Sequence, residues 1–278
     1  MDSRTRWKVP LVVAITLFAV VPSCVVISAP GVAQAVAPCN SPGTGNKFAG
    51  YAALNGYNGH TYRGVVGNIA TRDSQQCFGD YSPERNFSTA WYMIAGKTLH
   101  GQCGTNSRIS RGYAQAGYFH GIGELTYPYA ETNPDGCAPV RRVKLLDQPL
   151  TFGSNHRYTV SWYWWANVMA MQYDGRDIFY SNFDPVAYWG TYNTSQNDAW
   201  EPQAYGETDY VQSNVPGQYG SSCFFSAMGS WYDGNGWVGT VGLNGWQNDV
   251  PSRWFVGPLN EFNPSVYGLN FQIGTYDP

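Results

Sequence analysis

The sequence predicts an all-β fold, a two-sheet antiparallel β-sandwich, from its composition and from the pattern of its segments. Its 278 residues include 32 Gly, 21 Tyr, 11 Trp and 13 Phe, with only 13% charged residues. This mixture is poor in the straight-chain residues that favour helices and rich in residues that suit half-buried strands. Short segments that alternate apolar and polar residues recur between turn residues, as in sandwiches and barrels.

The first 35 residues have the pattern of a secretory signal peptide. Basic residues precede an apolar run from Val9 to Ile27, and the small residues that follow end in Ala33-Gln34-Ala35. An A-x-A sequence after an apolar run is typical of a cleavage site. We therefore predict a secreted, extracellular protein that begins at Val36.

Two other interpretations of this N-terminus are open. The apolar run is nearly long enough for a membrane anchor, but Pro10 and Pro22 interrupt it, so we predict no stable membrane insertion after cleavage. Cys24 follows Val-Pro-Ser, which weakly matches a lipoprotein motif. Whether Cys24 is lipidated stays open.

After the leader, the sequence predicts an exposed arm and one domain. Residues 36–46 are rich in Pro, Gly, Ser and Asn, which favours an exposed segment. Residues 47–278 are within the length that one β-sandwich domain can occupy. The predicted strands are Thr61 to Ala70, Phe87 to Ala95, Gly112 to Phe119, Glu124 to Ala130, Arg157 to Trp164, Asn167 to Tyr173, Arg176 to Tyr180, Gln203 to Val211, Cys223 to Tyr232, Trp237 to Leu243 and Val266 to Ile273.

The strongest local turn signal is Asp174-Gly175, which lies between two of these strands. Asp-Gly suits a two-residue hairpin turn because both residues tolerate positive φ. We therefore predict a β-hairpin there.

Charge and motifs exclude several classes of partner and cofactor. The net charge is −3 and basic residues are not clustered, so we predict no nucleic-acid partner. The sequence has no C-x-x-C pair or His-rich cluster, so we predict no metal site. No phosphate-binding loop or dinucleotide fingerprint is present, and no cofactor is predicted.

Five cysteines remain after cleavage of the leader, which in an oxidising compartment predicts two disulfides and one thiol. The pairs that we predict are Cys39 with Cys77 and Cys103 with Cys137. Cys223 is the predicted thiol because it lies in an apolar strand.

Alternation places two polar side chains among aromatic ones. On one predicted strand Gln115 shares a face with Tyr113 and Phe119, and on another Glu207 shares a face with Tyr205 and Asp209. A polar pair on facing strands of an aromatic groove suits a binding or hydrolytic site.

The same segments resemble the glutamic peptidases called eqolisins and, more distantly, neprosin-type domains. The matching blocks, in order, are Phe87-Ser-Thr-Ala-Trp91-Tyr-Met-Ile-Ala-Gly96, Tyr113-Ala-Gln115-Ala-Gly117-Tyr-Phe119, Ala204-Tyr-Gly-Glu207-Thr-Asp-Tyr210 and Cys223-Phe-Phe-Ser-Ala-Met-Gly229. The resemblance implies a lectin-like, concanavalin-type jelly roll. It covers about half of the chain.

By this resemblance Gln115 and Glu207 are the catalytic pair of a secreted, acid-active glutamic endopeptidase that acts on extracellular polypeptides. Trp91 falls on the tryptophan beside the site, and the substrate-binding residues are Trp91, Tyr113, Tyr205 and Asp209. A carboxylate can take a proton from water, and an amide can donate to the developing oxyanion. The chain departs from neprosin-type enzymes, which have a second glutamate at the position of Gln115, and residues 124–131 match the eqolisin block loosely.

A glycosidase is the second enzymatic interpretation. Glu207-Thr-Asp209 resembles the start of the Glu-x-Asp-x-Glu strand of laminarinase-type glucanases, which need two nearby carboxylates. Val211 and Gln212 stand where the second glutamate would be, which counts against this interpretation.

The alternative to an enzyme is a non-catalytic carbohydrate-binding or surface-recognition module. Gln115 would then be a hydrogen-bonded interior residue and Glu207 a solvated strand residue. The run Trp162-Tyr-Trp164-Trp165 supplies flat faces that could stack on sugar rings. Alternation separates Trp162 and Trp164 from Tyr163 and Trp165, so exposure of one pair would favour a glycan partner.

Overall fold

The computed structural model describes residues 37–39, 46–52, 62–96, 112–136, 138–190, 200–218, 220–232, 236–239, 245–257, 260–261 and 269–276. The predicted signal peptide and Cys24 lie outside these residues, as does most of the predicted arm. Within the described residues, no helix has the length and apolar character needed to cross a membrane.

Strands dominate the described chain. In chain order the elements are β1 Lys47–Ala52, β2 Tyr62–Ala70, β3 Phe87–Gly96, β4 Gly112–Gly121, β5 Thr126–Asn133, β6 Arg141–Lys144, β7 Asn155–Tyr163, β8 Val168–Tyr173, β9 Arg176–Tyr180, helix α1 Pro185–Trp189, β10 Glu201–Thr208, β11 Gly217–Gln218, β12 Ser221–Tyr232, β13 Gly236–Gly239, β14 Gly245–Asn248, β15 Trp254–Val256, β16 Asn260–Glu261 and β17 Leu269–Thr275.

These strands form two sheets. Among the described residues the first sheet has the order β14-β1-β10-β3-β4-β5-β6, and the second has β15-β17-β11-β12-β2-β7-β8-β9, with β13 beside β12 and β16 beside β17. The ladders of the first sheet are antiparallel. The predicted all-β fold, a two-sheet β-sandwich, is confirmed.

The predicted hairpin at Asp174-Gly175 joins β8 to β9. Asp174 has φ 47° and Gly175 has φ 79°, the left-handed conformations that a two-residue hairpin turn requires at both positions. The Asp174 side chain also accepts a bond of 2.9 Å from the backbone N–H of Arg157, which ties the turn to β7.

The main core fills the space between the sheets. From the first sheet it takes small residues, two tyrosines and an isoleucine: Ala49, Ala90, Ala114, Ala116, Ala130, Ala204, Tyr92, Tyr118 and Ile94. From the second sheet it takes larger apolar residues such as Val160, Met171 and Phe225. We call the side of the first sheet that faces this core its inner face.

The opposite side of the first sheet, its outer face, carries a second apolar cluster. Its buried members are Phe48, Ala52, Phe87, Trp91, Met93, Ala95, Tyr113, Phe119, Tyr129 and Tyr205. Because side chains alternate along a strand, each long strand of this sheet contributes to both clusters.

One predicted disulfide, Cys39–Cys77, is confirmed. It lies beside a short backbone pairing in which Cys39 N–H donates to the Phe78 carbonyl at 2.7 Å. The predicted pair of Cys103 and Cys137 lies outside the described residues. Cys223 is a buried free thiol, as predicted, and burial raises its pKa to about 12.

Candidate active site

The outer face of the first sheet combines its aromatic cluster with polar and ionisable side chains. Gln115 on β4, Glu131 on β5, and Glu201, Gln203 and Glu207 on β10 are all buried. Buried carboxylates are costly unless they are paired, hydrogen-bonded or protonated. Their concentration on one face distinguishes this face as the candidate site.

Two donors hold the Glu207 carboxylate. Trp91 Nε1 donates to its Oε2 at 2.6 Å, and the Asn46 side-chain amide donates to its Oε1. Trp91 and Glu207 project from neighbouring strands, since β3 and β10 are paired in the sheet. The Trp91 ring also lies 5.4 Å from the ring of Tyr205, so aromatic packing fixes the donor.

Burial raises the pKa of Glu207 to about 7, and the negative charge of Glu131 adds to this shift. The hydrogen bonds from Trp91 and Asn46 and the positive charge of Arg142 act in the opposite direction. Burial penalises the charged form of a carboxyl group, and a like charge does the same. Glu207 can therefore exchange a proton near neutral pH.

Gln115 is the second polar group of the predicted pair, and its side chain is 5% exposed. Its Nε2 donates to the Tyr129 hydroxyl at 3.0 Å. That hydroxyl also lies 3.2 Å from Thr89 Oγ1, and Thr89 pairs in register with Glu207. A chain of polar groups thus runs across β4 and β3 from Gln115 toward the strand of Glu207.

Glu131 pairs directly with Gln115 across β4 and β5. Its carboxylate accepts bonds of 2.5 Å from the Tyr113 hydroxyl and from Arg142 Nε. The Arg142 guanidinium also lies 4.8 Å from the centre of the Phe119 ring. The arginine therefore supplies a positive charge at the edge of the aromatic cluster.

A ladder of ion pairs continues along the edge strand β6. Arg142 Nη1 lies 2.7 Å from Glu84, and Lys144 Nζ lies 2.7 Å from Glu84 and 3.1 Å from Glu124. The ladder fixes the position of Arg142, and hence of its bond to Glu131.

The predicted site residues lie mostly, but not all, on this face. Gln115 and Glu207 share the face but are separated by β3. Gln115 is level with Met93 and Gln203, and Glu207 lies four positions further along β10. Trp91, Tyr113 and Tyr205 belong to the same cluster.

Asp209, the remaining predicted substrate-binding residue, lies just beyond the end of β10 at Thr208. It is half-buried, and burial and the charge of Asp80 raise its pKa. The sequence predicted a strand as far as Val211, and alternation along that strand placed Asp209 on the outer face. Because β10 ends at Thr208, alternation does not determine which way Asp209 points.

Sequence reasoning did not select Glu131, Tyr129, Arg142 or Gln203 as site residues. The predicted strand ended at Ala130, one residue before Glu131, whereas β5 continues to Asn133. The alternation Tyr127, Tyr129, Glu131 could have found the first two. Arg142 and Gln203 become evident only from the pairing of strands.

Between Gln115 and Phe119, Gly117 leaves the outer face of β4 without a side chain. It pairs with Trp91 on one side and with Tyr129 on the other. A Cβ at Gly117 would lie 1.9 Å from the Ala90 carbonyl oxygen, so a larger residue does not fit. Trp91 and Tyr129 therefore face each other over a bare strand position.

Other features of the described residues do not compete with this site. They contain no group of three or more His, Cys, Asp or Glu side chains that could hold a metal ion. A cavity of about 700 Å³ lies elsewhere, lined by Arg72, Ser222, Phe224, Gly257 and Tyr276. Its described lining includes no carboxylate, so it lacks the acid–base group that the outer face has.

Comparisons with known proteins find matches among solved structures. No family model matches the sequence, and no curated protein matches it. Scytalido-glutamic peptidase, solved with a peptide-based transition-state analogue, is 9% identical, with 84% of this chain and 98% of that chain covered and a TM-score of 0.48.

Glycoside hydrolases are also similar. A family 16 endo-glucanase from Bacteroides ovatus is 13% identical over 62% of this chain and 72% of its own, with a TM-score of 0.34. The laminarinase catalytic domain from Thermotoga petrophila is 10% identical over 56% of each chain, with a TM-score of 0.33. Likeness at these levels does not identify shared chemistry.

Proposed function

We propose that this protein is a hydrolase of peptide bonds that uses Glu207 as general base and acid and Gln115 as oxyanion donor. One observation carries the proposal: a buried carboxyl group with a pKa of about 7 shares a water-poor aromatic face with a buried primary amide. A base works best when its pKa is near the working pH.

The reaction requires no other co-reactant than water. The Glu207 carboxylate takes a proton from water as the water oxygen attacks the carbonyl carbon of the substrate. Negative charge develops on the carbonyl oxygen, to which Gln115 Nε2 donates a hydrogen bond. Glu207 then gives its proton to the leaving nitrogen as the C–N bond breaks, and a carboxylic acid and an amine are released.

The surrounding residues orient the two reacting groups. Trp91 Nε1 donates to Oε2 of Glu207, and the Asn46 amide donates to Oε1. The remaining lone pairs of the carboxylate can accept from water. The rings of Trp91, Tyr113 and Tyr205 belong to the buried aromatic cluster beside the pair and make the surroundings of the two groups apolar.

The raised pKa of Glu207 moves the expected pH range of activity upward. A base must be ionised, and only a small fraction of a carboxyl group with a pKa of about 7 is ionised at pH 4. We therefore expect kcat/KM to rise with pH through about 7, higher than the acid range that the sequence resemblance implies.

The test is cleavage of an unfolded, carboxymethylated protein between pH 3 and 9. Glu207→Gln is expected to lower kcat/KM at least a hundredfold, because general acid–base catalysis contributes ~10²–10⁴-fold. Gln115→Ala is expected to lower kcat by about a hundredfold with little change in KM.

The matched controls are Asp147→Asn and Gln148→Ala, which change the same types of group in an exposed turn. Both should retain wild-type rates. A wild-type protein that cleaves nothing in this range, or a Glu207→Gln variant that cleaves as fast as wild type, contradicts the proposed function.

We also propose that the protein acts outside the cell, on the basis of the leader pattern in residues 1–35. N-terminal sequencing of protein recovered from the culture medium should begin at Val36. Recovery of intact Met1, or of a lipid on Cys24, would contradict cleavage after Ala35.

A separate observation favours glycan binding as a second function. Trp164 and Trp165 follow the end of β7 and are 60% and 62% exposed, whereas Trp162 is buried. The Tyr163 and Trp165 rings stack at 4.5 Å, and Asp177 accepts from the Tyr163 and Tyr180 hydroxyls at 3.0 and 2.5 Å. Flat apolar rings beside fixed polar groups suit the two kinds of surface of a sugar ring.

Titration of the protein with soluble polysaccharides should then change its tryptophan fluorescence. The double variant Trp164→Ala/Trp165→Ala should lose the response, while Trp246→Ala, at another exposed tryptophan, should keep it. An absence of response across a broad glycan panel excludes this second function.

A further inference from the structure

Gln203 is a buried amide side chain on the outer face of the first sheet. Only 1% of it is exposed. In the sheet it pairs with Ala52 of β1 on one side and with Met93 of β3 on the other. Both neighbours are apolar, so neither offers its side chain as a hydrogen-bond partner.

The Nε2 group of Gln203 has no hydrogen-bond partner within the described part of the chain. A buried donor without a partner destabilises a protein, and replacing it with an apolar group of similar shape removes that cost. Gln115, on the same face, has its Nε2 bonded to Tyr129. Burial alone therefore does not account for an unpartnered amide at Gln203.

The register places Gln203 level with Gln115. Met93 of β3 pairs with Gln203 on one side and with Gln115 on the other. Two strand spacings put their Cα atoms about 10 Å apart. Carbonyl groups on one side of an extended peptide recur about every 7 Å. Because both glutamine side chains are flexible, their amide groups can bind two such carbonyls of one peptide at the same time.

We propose that Gln203 is a substrate-positioning residue whose Nε2 donates to a backbone carbonyl of an extended polypeptide laid across β4, β3 and β10. The proposal rests on the proposed function, since Gln115 would donate to the carbonyl of the bond that is cleaved. Gln203 then binds a carbonyl two residues away from it. The substrate class is an unfolded or extended polypeptide, because most backbone carbonyls of a folded protein are already bonded within its own helices and sheets.

Gln203→Met tests the proposal because methionine has a similar shape but no donor. We expect the thermal midpoint of the free protein to be unchanged or raised, since the Nε2 group that methionine lacks has no hydrogen-bond partner among the described residues. We expect KM for the unfolded, carboxymethylated protein to rise about tenfold while kcat stays within about threefold. Gln148→Met, the same change in an exposed turn, should alter neither quantity.

A binding experiment separates this proposal from the proposed function. The Glu207→Gln variant, with and without Gln203→Met, is titrated against the same unfolded protein carrying a fluorescent label, and binding is measured by anisotropy. Affinity about tenfold weaker with Gln203→Met supports the proposal even if the wild type cleaves nothing. Equal affinity, no binding in either variant, or a clearly lowered thermal midpoint of Gln203→Met overturns it.

Discussion

The two faces of the first sheet are both buried but chemically different. Along β4, Ala114, Ala116 and Tyr118 face the inner core, whereas Tyr113 and Gln115 face outward, and all five are buried. The inner face consists mainly of small apolar side chains packed under the second sheet. The outer face carries, beside its aromatic rings, buried carboxyl groups such as those of Glu131 and Glu207 and buried amides such as those of Gln115 and Gln203.

The comparison shows that burial has different consequences on the two faces. On the inner face, burial of apolar surface stabilises the fold. On the outer face the same exclusion of water raises the pKa of Glu207, which weakens the folded state at high pH. A sheet face that reduces stability in this way is consistent with a face selected for chemistry.

The largest expected effect concerns stability as a function of pH. The pKa of Glu207 is about 7 in the folded protein against 4.5 for an ordinary glutamate, so the folded state binds the proton more tightly. Its contribution to stability is fully present below pH 4.5 and is lost as pH rises through 7, by about 3 kcal/mol in total.

The free energy of unfolding of Glu207→Gln, measured relative to that of wild type, should therefore rise by about 3 kcal/mol from pH 4 to pH 8. Urea unfolding at the two pH values measures this difference. Asp147→Asn serves as the control and should show no such gain. A Glu207→Gln variant whose stability equals that of wild type at both pH values would contradict the claim that burial on the outer face lowers stability at high pH.

A substitution on the inner face should affect stability alone. Ala116 pairs with Tyr92 and Ala130 and is fully buried, so Ala116→Leu overpacks the core and should cost about 1–3 kcal/mol. Thermal unfolding measures the loss. Below the unfolding temperature the pH dependence of cleavage should match wild type, and a shifted profile would show that the faces are not independent.

Removal of the indole donor should affect the outer face without disturbing the inner one. Trp91→Phe keeps the aromatic packing but removes the Nε1 bond to Glu207. Because that bond lowers the pKa of Glu207, the rise of kcat/KM should move to higher pH and its value at pH 7 should fall about tenfold. Trp246→Phe is the control, and an unchanged profile for Trp91→Phe argues against a role for the bond.

The smallest expected effects are two shifts of the pH dependence of kcat/KM, in opposite directions. The charge of Glu131 raises the pKa of Glu207 and that of Arg142 lowers it. Glu131→Gln should move the rise of kcat/KM to lower pH, and Arg142→Met should move it to higher pH, each by about one unit or less. Shifts in the same direction would show that altered packing, not charge, controls the proton.

The sequence was sufficient for the fold because alternation and turn chemistry are local. The hairpin at Asp174-Gly175 and the placement of Gln115 among aromatic residues both follow from neighbours in the chain. Register is not local: that Glu131 faces Gln115, and that Gln203 rather than Glu207 lies level with it, depends on how strands pair. The pKa of Glu207 depends on burial and on Glu131, which only the folded sheet brings together.

The most direct test of the account is titration of Glu207 itself. Nuclear magnetic resonance of protein labelled with carbon-13 at the glutamate carboxyl groups follows each carboxyl between pH 3 and 9, and the Glu207→Gln spectrum assigns the resonance. We predict one carboxyl that titrates near pH 7 and is absent from the variant. A Glu207 resonance that titrates near the ordinary 4.5 would contradict the claim that the outer face prepares this carboxyl for proton transfer.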